Sequence, residues 1–436
     1  MKANINSFRG PFIVVTTLFF MWGFITVMVD ALVPRLKDVF ELTLLQAGMV
    51  QFAWFAAYGL LSIPGGNLIE RIGYKRGILV GLSLAALGCL LFYPAAATRM
   101  YGLFLLALFV VAGGITLLQV AANPYISVLG DPEKASSRLN LAQAFNSLGT
   151  TIAPVVAASF LLSDQILSAD DQLALSAEAM ESYRIAEAAA VQGPFVSLAL
   201  GFLLLAVLIG VSKLPRILGG NLGGGMSKAW SNRTLRYGAL GIFVYVGAEV
   251  AIGSYMVGYG LELGVDSVIR ETSWLSSMAG IAASISGKTL AGMDAKGLIG
   301  ALLTFYWGGA MIGRFIGSII MQRLAPQRLL GLFALGAVAL IILSMLTSGV
   351  TALLALIGVG LFNSIMFPTI FTLGIGDLGD LKPLGSGILC TAIVGGAFIP
   401  PAVGALADEF GFAVALVLPV LCYMYIQYFA THIAKY

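Results

Sequence analysis

Two acids lie inside long apolar runs. Asp30 sits deep in the run Phe12 to Leu36, and Glu249 sits deep in the run 234–262. A charge at the centre of a membrane-spanning helix costs about 2.5 kcal/mol at the least, so it needs a partner, a water-filled cavity or a task. No Lys or Arg is near either acid in sequence. A hydrogen-bonded acid that only locks helices together is the competing explanation, and it is stronger for Glu249. Other acids avoid the problem: Glu70, Asp377, Asp408 and Glu409 fall at the ends of apolar runs, where solvent is expected.

Amides gather in neighbouring runs. Gln119 and Asn123 are four apart, and Asn140, Gln143 and Asn146 are spaced by three, so each set shares one helical face. Asn363 adds another. An amide carries both donors and an acceptor, which suits the alternating hydroxyls of a sugar. Trp22 and Trp307, with Trp54, Tyr58, Trp274 and Tyr306, are the rings placed to stack on a sugar's C–H face. Pro124, Pro154 and Pro368 each free a backbone carbonyl that can line a cavity or ligate a cation. Interhelical hydrogen bonding is the competing use of these amides.

The elements that must hold these groups follow from composition. The chain has 436 residues, of which 59% are hydrophobic and 10% charged. Water-soluble domains carry about a quarter charged residues, so lipid is the solvent that fits. A spanning helix needs roughly 20 apolar residues. Runs at 12–36, 44–70, 75–96, 99–129, 136–162, 190–213, 234–262, 298–322, 327–347, 350–376, 384–407 and 412–431 predict an all-α polytopic membrane protein with twelve transmembrane helices.

A Gly-rich basic stretch divides the chain. The reading is a six-helix bundle at 1–213, a linker at 214–233 and a second six-helix bundle at 234–436. The bundles echo each other: Arg71-Ile-Gly-Tyr-Lys-Arg76 matches Arg323-Leu-Ala-Pro-Gln-Arg328, and Asn123-Pro124 matches Phe367-Pro368. Such duplication is the plan of transporters that rock two pseudo-symmetric halves around a central site. Arg71, Arg76, Arg323 and Arg328 are then candidate gate residues, although positive turns also arise from topology alone. Sixteen of the 24 Lys and Arg fall on the side of the termini, seven on the other, and Arg314 lies within a helix. That bias predicts cytoplasmic termini.

Several classes are excluded. Gly287-Lys288-Thr289 lacks the upstream glycine of a phosphate loop, and the single histidine, His432, is nearly terminal. ATP-driven pumping, catalytic triads and His-rich metal sites are therefore set aside, and no cofactor is expected. The net charge of +3, without a basic stripe, gives no nucleic-acid partner. Cys89, Cys390 and Cys422 fall in apolar runs and read as unbridged buried thiols. The acidic segment Ser163 to Gln192 reads as a short amphipathic surface helix on the outer side.

A set of motifs spans the chain: Phe19-Phe-Met-Trp-Gly-Phe-Ile-Thr26, Asp30-Ala-Leu-Val-Pro34, Gln119-Val-Ala-Ala-Asn-Pro-Tyr125, Arg138-Leu-Asn-Leu-Ala-Gln-Ala-Phe-Asn-Ser-Leu-Gly149, Tyr245-Val-Gly-Ala-Glu249, Gly313-Arg-Phe-Ile-Gly317 and Phe367-Pro-Thr-Ile-Phe371. On these the sequence resembles the L-fucose/H+ symporter family of the major facilitator superfamily, nearer to its bacterial glucose/galactose transporters and N-acetylglucosamine permeases. The resemblance implies a central sugar site, with Asp30 as the family's acid in the first helix and Gln143 and Asn146 as its amides in the fifth. Two positions depart: Gln119 stands where the fucose branch has a second acid, and Val29 where relatives often have Asn.

Glutamine does not titrate, but its carbonyl oxygen suits a hard cation. The expectation is therefore Na+-coupled symport of a hexose such as glucose, galactose or mannose, by a monomer in a bacterial inner membrane. Asp30 and Gln119 would ligate Na+, with Asn123 and Asn140 as neighbours. Gln143, Asn146, Asn363, Glu249, Trp22 and Trp307 would bind sugar. H+ coupling through Asp30, with Glu249 as a second titrating group, is the first alternative. A multidrug antiporter and a non-transporting receptor are the others.

Overall fold

The computed structural model describes residues 9–40, 44–160, 175–215, 217, 225–285, 290 and 293–434. The long helices of the first half are α1 (Arg9–Phe40), α2 (Leu44–Ile72), α3 (Tyr74–Thr98), α4 (Tyr101–Val128), α5 (Ala135–Phe160) and α6 (Ala177–Val211). The second half holds α7 (Arg233–Glu262), α8 (Ala295–Ile320), α9 (Pro326–Leu346), α10 (Gly349–Asn363), α11 (Met366–Ile375), α12 (Lys382–Thr391), α13 (Gly395–Phe410) and α14 (Val417–Tyr428). The short helix Gly225–Ser231 lies between them.

Ten stretches of the described residues are long and apolar enough to cross a membrane. One of them, Gly349–Phe410, has 62 residues and holds two crossings, α10–α11 and α12–α13. Adding α5, a 26-residue helix with a polar first turn, brings the count to twelve. The outer surface agrees. Leu204 is 61% exposed, Val207 60% and Leu346 80%, apolar groups that lipid, not water, would solvate.

The predicted helices 350–376 and 384–407 are each in two pieces. Pro368 has no N–H, so the carbonyl four residues back, that of Ser364, has no helical donor, and the helix breaks at Ser364–Ile365. The predicted surface helix around 163–192 is not separate: from Ala177 onward it is one helix with the sixth span, 35 residues in all. Its end away from the linker is tied to the end of α3 by Arg99 and Glu181 at 2.6 Å. Residues 161–174, most of the linker glycines and Gly287-Lys288-Thr289 lie outside the described residues. The three cysteines are buried and free.

All the helix ends next to the linker lie at one end of the bundle, and there the two halves meet. The α2–α12 crossing is backbone on backbone. A Cβ at Gly387 would sit 2.7 Å from the Ser62 carbonyl oxygen, and one at Gly66 would sit 2.8 Å from that of Pro383. Hydroxyls close the rest of this end. Ser136 and Thr372 share a hydrogen bond of 2.6 Å, and Ser137 donates to the Ser318 carbonyl at 2.7 Å. Ser386 donates to the Val120 carbonyl at 2.9 Å. Val120 is four residues before Pro124, so proline has freed that carbonyl from its own helix.

Glu70 departs from expectation. It lies in the last turn of α2, yet it is 7% exposed, with Oε1 buried and without a hydrogen-bond partner among the described residues. It lies under Gly225 of the linker helix rather than in solvent.

Replacing Gly387 with Leu should prise this end open. Spin labels at Arg76 and Arg328, in a cysteine-free background, should move to longer distances by electron–electron resonance. An unchanged distribution would show that the backbone contact does not hold the halves together.

Candidate functional site

The first half contributes a chain of amides. In α4, Gln119 donates from Nε2 to the Tyr58 hydroxyl of α2 at 2.6 Å, leaving its carbonyl oxygen as the acceptor or ligand atom. One turn on, Asn123 is fully buried and accepts from Gln143 Nε2 of α5 at 3.2 Å. Among the described residues Asn123 Nδ2 is buried with no partner. Asn146 donates to the Phe19 carbonyl of α1 at 2.9 Å, where α1 and α5 run so close that a Cβ at Gly149 would meet Phe20 O at 2.3 Å. Gln119, Asn123 and Gln143 therefore form one polar group, with Asn146 bracing the helix that carries Asp30. Asp30 lies in α1, and its side chain is outside the described residues.

Asn140 does not join this group. Its Nδ2 donates to the Ser136 carbonyl at 2.8 Å and to Thr369 Oγ1 of the second half at 3.2 Å. It sits nearer the closed end and works in the seal, because the helical rise from Gln143 carries it about 4.5 Å away from the other amides. Arg138, in the same motif, caps α4: its guanidinium donates to the carbonyls of Ile126, Ser127 and Asp131. A cation at a helix C-terminus is favourable, so this arginine is accounted for by structure alone.

The second half builds a cage around Glu249. The Tyr245 hydroxyl donates to Glu249 Oε1 at 2.7 Å and lies 3.1 Å from the Asn363 carbonyl. Tyr306 donates to the Glu249 carbonyl at 3.1 Å, and Asn363 Nδ2 donates to the Tyr306 hydroxyl at 2.7 Å. Tyr423 completes the wall and is fully buried. The break between α10 and α11 is what leaves the Asn363 carbonyl free for Tyr245.

Arg314, noted in the sequence only as a charge within a helix, joins the two halves. Its Nε donates to the Ser364 carbonyl, the one Pro368 releases, at 3.0 Å. Its Nη1 bonds to Ser147 Oγ of α5, in the other half. It is close enough to Glu249 for the two charges to interact. Next to it Phe145 and Phe315 meet edge to face across the halves at 5.6 Å. The tell-tale in the sequence was a lone arginine in an apolar helix; its partner Ser147 gave no signal.

The aromatic candidates divide. Trp22 is 4% exposed and packs on Phe19 at 5.3 Å, so it is core. Trp307 is 46% exposed and stands edge-on to Tyr306 at 5.0 Å, beside the Glu249 cage. Tyr58, expected to offer its ring, instead offers its hydroxyl to Gln119. The four gate arginines lie at the closed end. Among the described residues none of them bonds to the opposite half, and serine, threonine, asparagine and glycine make the seal instead.

Two six-helix halves sealed at one end, each holding a buried polar cluster and linked by Arg314 and Ser147, define a secondary transporter rather than an enzyme or a channel. The comparisons agree. The Major Facilitator Superfamily model matches residues 11–389. A "Glucose/galactose transporter" of Brucella abortus biovar 1 is 45% identical over 417 residues, covering 95% of this chain and 92% of the relative. The "L-fucose-proton symporter" of Escherichia coli K12 is 36% identical over 435 residues, covering 98% and 93%. The crystal structure of a superfamily transporter, FucP, in the outward conformation superposes with a TM-score of 0.85 at 35% identity, over 97% of this chain and 98% of that one. The chain belongs to the major facilitator superfamily, in its L-fucose/H+ symporter family, and is a multi-pass membrane transporter.

If Arg314 and Glu249 balance each other's charge, Arg314→Gln should lower the Tm sharply. Adding Glu249→Gln should then recover part of it, with a coupling of about 0.5–3 kcal/mol in a double-mutant cycle. Additive losses would separate the two residues.

Proposed function

We propose that the chain is a Na+-coupled symporter of a hexose such as glucose, galactose or mannose, working by alternating access. The observation that carries the cation is the Gln119–Tyr58 bond. With its nitrogen donating to Tyr58, the amide turns an oxygen into the role that a carboxylate fills in the fucose branch. Oxygen donors suit a hard cation, and Asp30 on the neighbouring helix supplies the negative charge. Asn123 is the third ligand candidate. Na+ would neutralise Asp30 without any proton transfer, and it would order the adjacent amides.

The hexose assignment rests on the name of the Brucella relative and on the amide, carboxylate and aromatic groups here: Gln143, Asn146, Asn363, Glu249 and Trp307. Trp22, buried in the first half, would act by packing. The two bundles, 1–213 and 234–436, would rock about the central clusters on the linker at 214–233. The seal at the linker end corresponds, with cytoplasmic termini in a bacterial inner membrane, to an outward-facing state. We take the working unit to be a monomer.

One observation favours H+ instead. The Glu249 cage holds a titratable carboxylate on a tyrosine hydroxyl, and the 36%-identical relative is named a proton symporter.

Proteoliposome uptake separates the readings. Labelled glucose, galactose, mannose, fucose and N-acetylglucosamine should be tested with a Na+ gradient and no pH gradient, then the reverse. Na+ reading: uptake follows Na+, and Asp30→Asn abolishes accumulation while leaving sugar exchange measurable. Uptake driven by pH alone would transfer the role to H+. Gln119→Glu restores a second acid, so it should make uptake pH-dependent; a pH-independent variant would remove Gln119 from the ion site.

A further inference from the structure

At the closed end, three separate segments of the first half converge on a pocket of about 650 Å³. The end of α2 brings Arg71, the start of α3 brings Lys75 and Arg76, and the stretch after α6 brings Lys213. No acid lines it. Lys75 is committed: its Nζ donates to the carbonyls of Gly210 and Ser212, each at 2.8 Å, and so pins the end of α6 against α3. Arg71, Arg76 and Lys213 remain, exposed and without an ion pair among the described residues.

Topology asks only that positive charge lie on one side of the membrane. It does not ask that three segments bring like charges to one concavity, where they repel each other. An anion there removes the repulsion. The rest of the pocket says which anion. Leu79 and Val211 form its membrane-facing wall, and Val211 is 75% exposed. From Val211 an apolar strip continues up the outside of α6 through Leu208, Val207 and Leu204, all at least 50% exposed. A basic pocket opening onto an apolar strip matches a phosphodiester with its acyl chains alongside.

We propose that this pocket binds the headgroup phosphate of an anionic phospholipid from the leaflet at the linker end. Arg76 and Lys213 grip the phosphate from either side of the pocket, Arg71 adds charge, and Lys75 holds the pocket's shape. The lipid thereby fastens α6 to the α2–α3 turn, next to the α2–α12 seal.

Native mass spectrometry of the full chain in detergent tests this, using dioleoyl phosphatidylglycerol, dioleoyl phosphatidylcholine and inorganic phosphate as probes. The wild type should hold phosphatidylglycerol on the order of tenfold more than phosphatidylcholine. Arg76→Gln with Lys213→Gln should abolish that preference. Arg76→Lys with Lys213→Arg should keep it, as should Arg323→Gln with Arg328→Gln in the matching turn of the second half. The proposal falls if the first pair keeps the preference, or if either of the other pairs loses it. It falls equally if inorganic phosphate displaces the lipid at equal concentration, which would mark a site for free phosphate.

Discussion

Proline sets the constraint on which this fold depends. In a membrane every backbone carbonyl needs a donor, and water is not there to supply one. Pro124 and Pro368 each remove an N–H from a buried helix and so leave one carbonyl, of Val120 and of Ser364, without its helical partner. The chain answers both with side chains. Ser386 reaches across the halves to Val120, and Arg314 takes Ser364 within its own half while holding Ser147 in the other. The prolines therefore decide where polar groups enter the interface. Gly66 and Gly387 let the backbones come close enough for the serine to reach.

The seal made in this way is built to be broken. Its described bonds are mostly between hydroxyls, amides and carbonyls, and such bonds in membranes contribute about 0.6 kcal/mol each on average. A handful of them amounts to a few kcal/mol, comparable to the roughly 5.5 kcal/mol needed to swing a two-state equilibrium from one side to the other. A latch of buried arginine–carboxylate pairs would be harder to open, since breaking one costs about 3–5 kcal/mol. That the gate arginines lie outside the seal thus has a physical sense. The one charged member, Arg314, keeps its charge near Glu249 and gives the other half only a serine.

Much of the fold was legible because lipid imposes it. Twelve apolar runs, a glycine-rich interruption and the charge bias needed no more than the thickness of a bilayer. The paired Asn123-Pro124 and Phe367-Pro368 were visible as repeats, but not what the freed carbonyls would meet, because Ser386 and Arg314 come from helices that sequence cannot dock. The helix-five amides show the same limit. Asn140, Gln143 and Asn146 share a face by spacing, yet each spacing of three also moves along the axis. Asn140 ends in the seal, Gln143 in the polar group and Asn146 on α1. A helical face fixes direction and leaves depth open. Glu70 erred the other way: a helix end usually means solvent, but here the linker helix folds over it.

The two polar clusters are not symmetric, although the halves that hold them are. The first-half group, among the described residues, is amides with a hydroxyl. Its amides are acceptors and donors that do not titrate. The second-half group is a carboxylate clasped by a tyrosine, with an arginine nearby that also touches the first half. Ser147, which receives that arginine, is one residue from Asn146 and one turn from Gln143. A ligand that draws on these amides therefore acts on α5 at the point where Arg314 holds it. Gln143 and Ser147 share one helix face, so a load on that amide has a direct mechanical route along α5 to the contact with the other half.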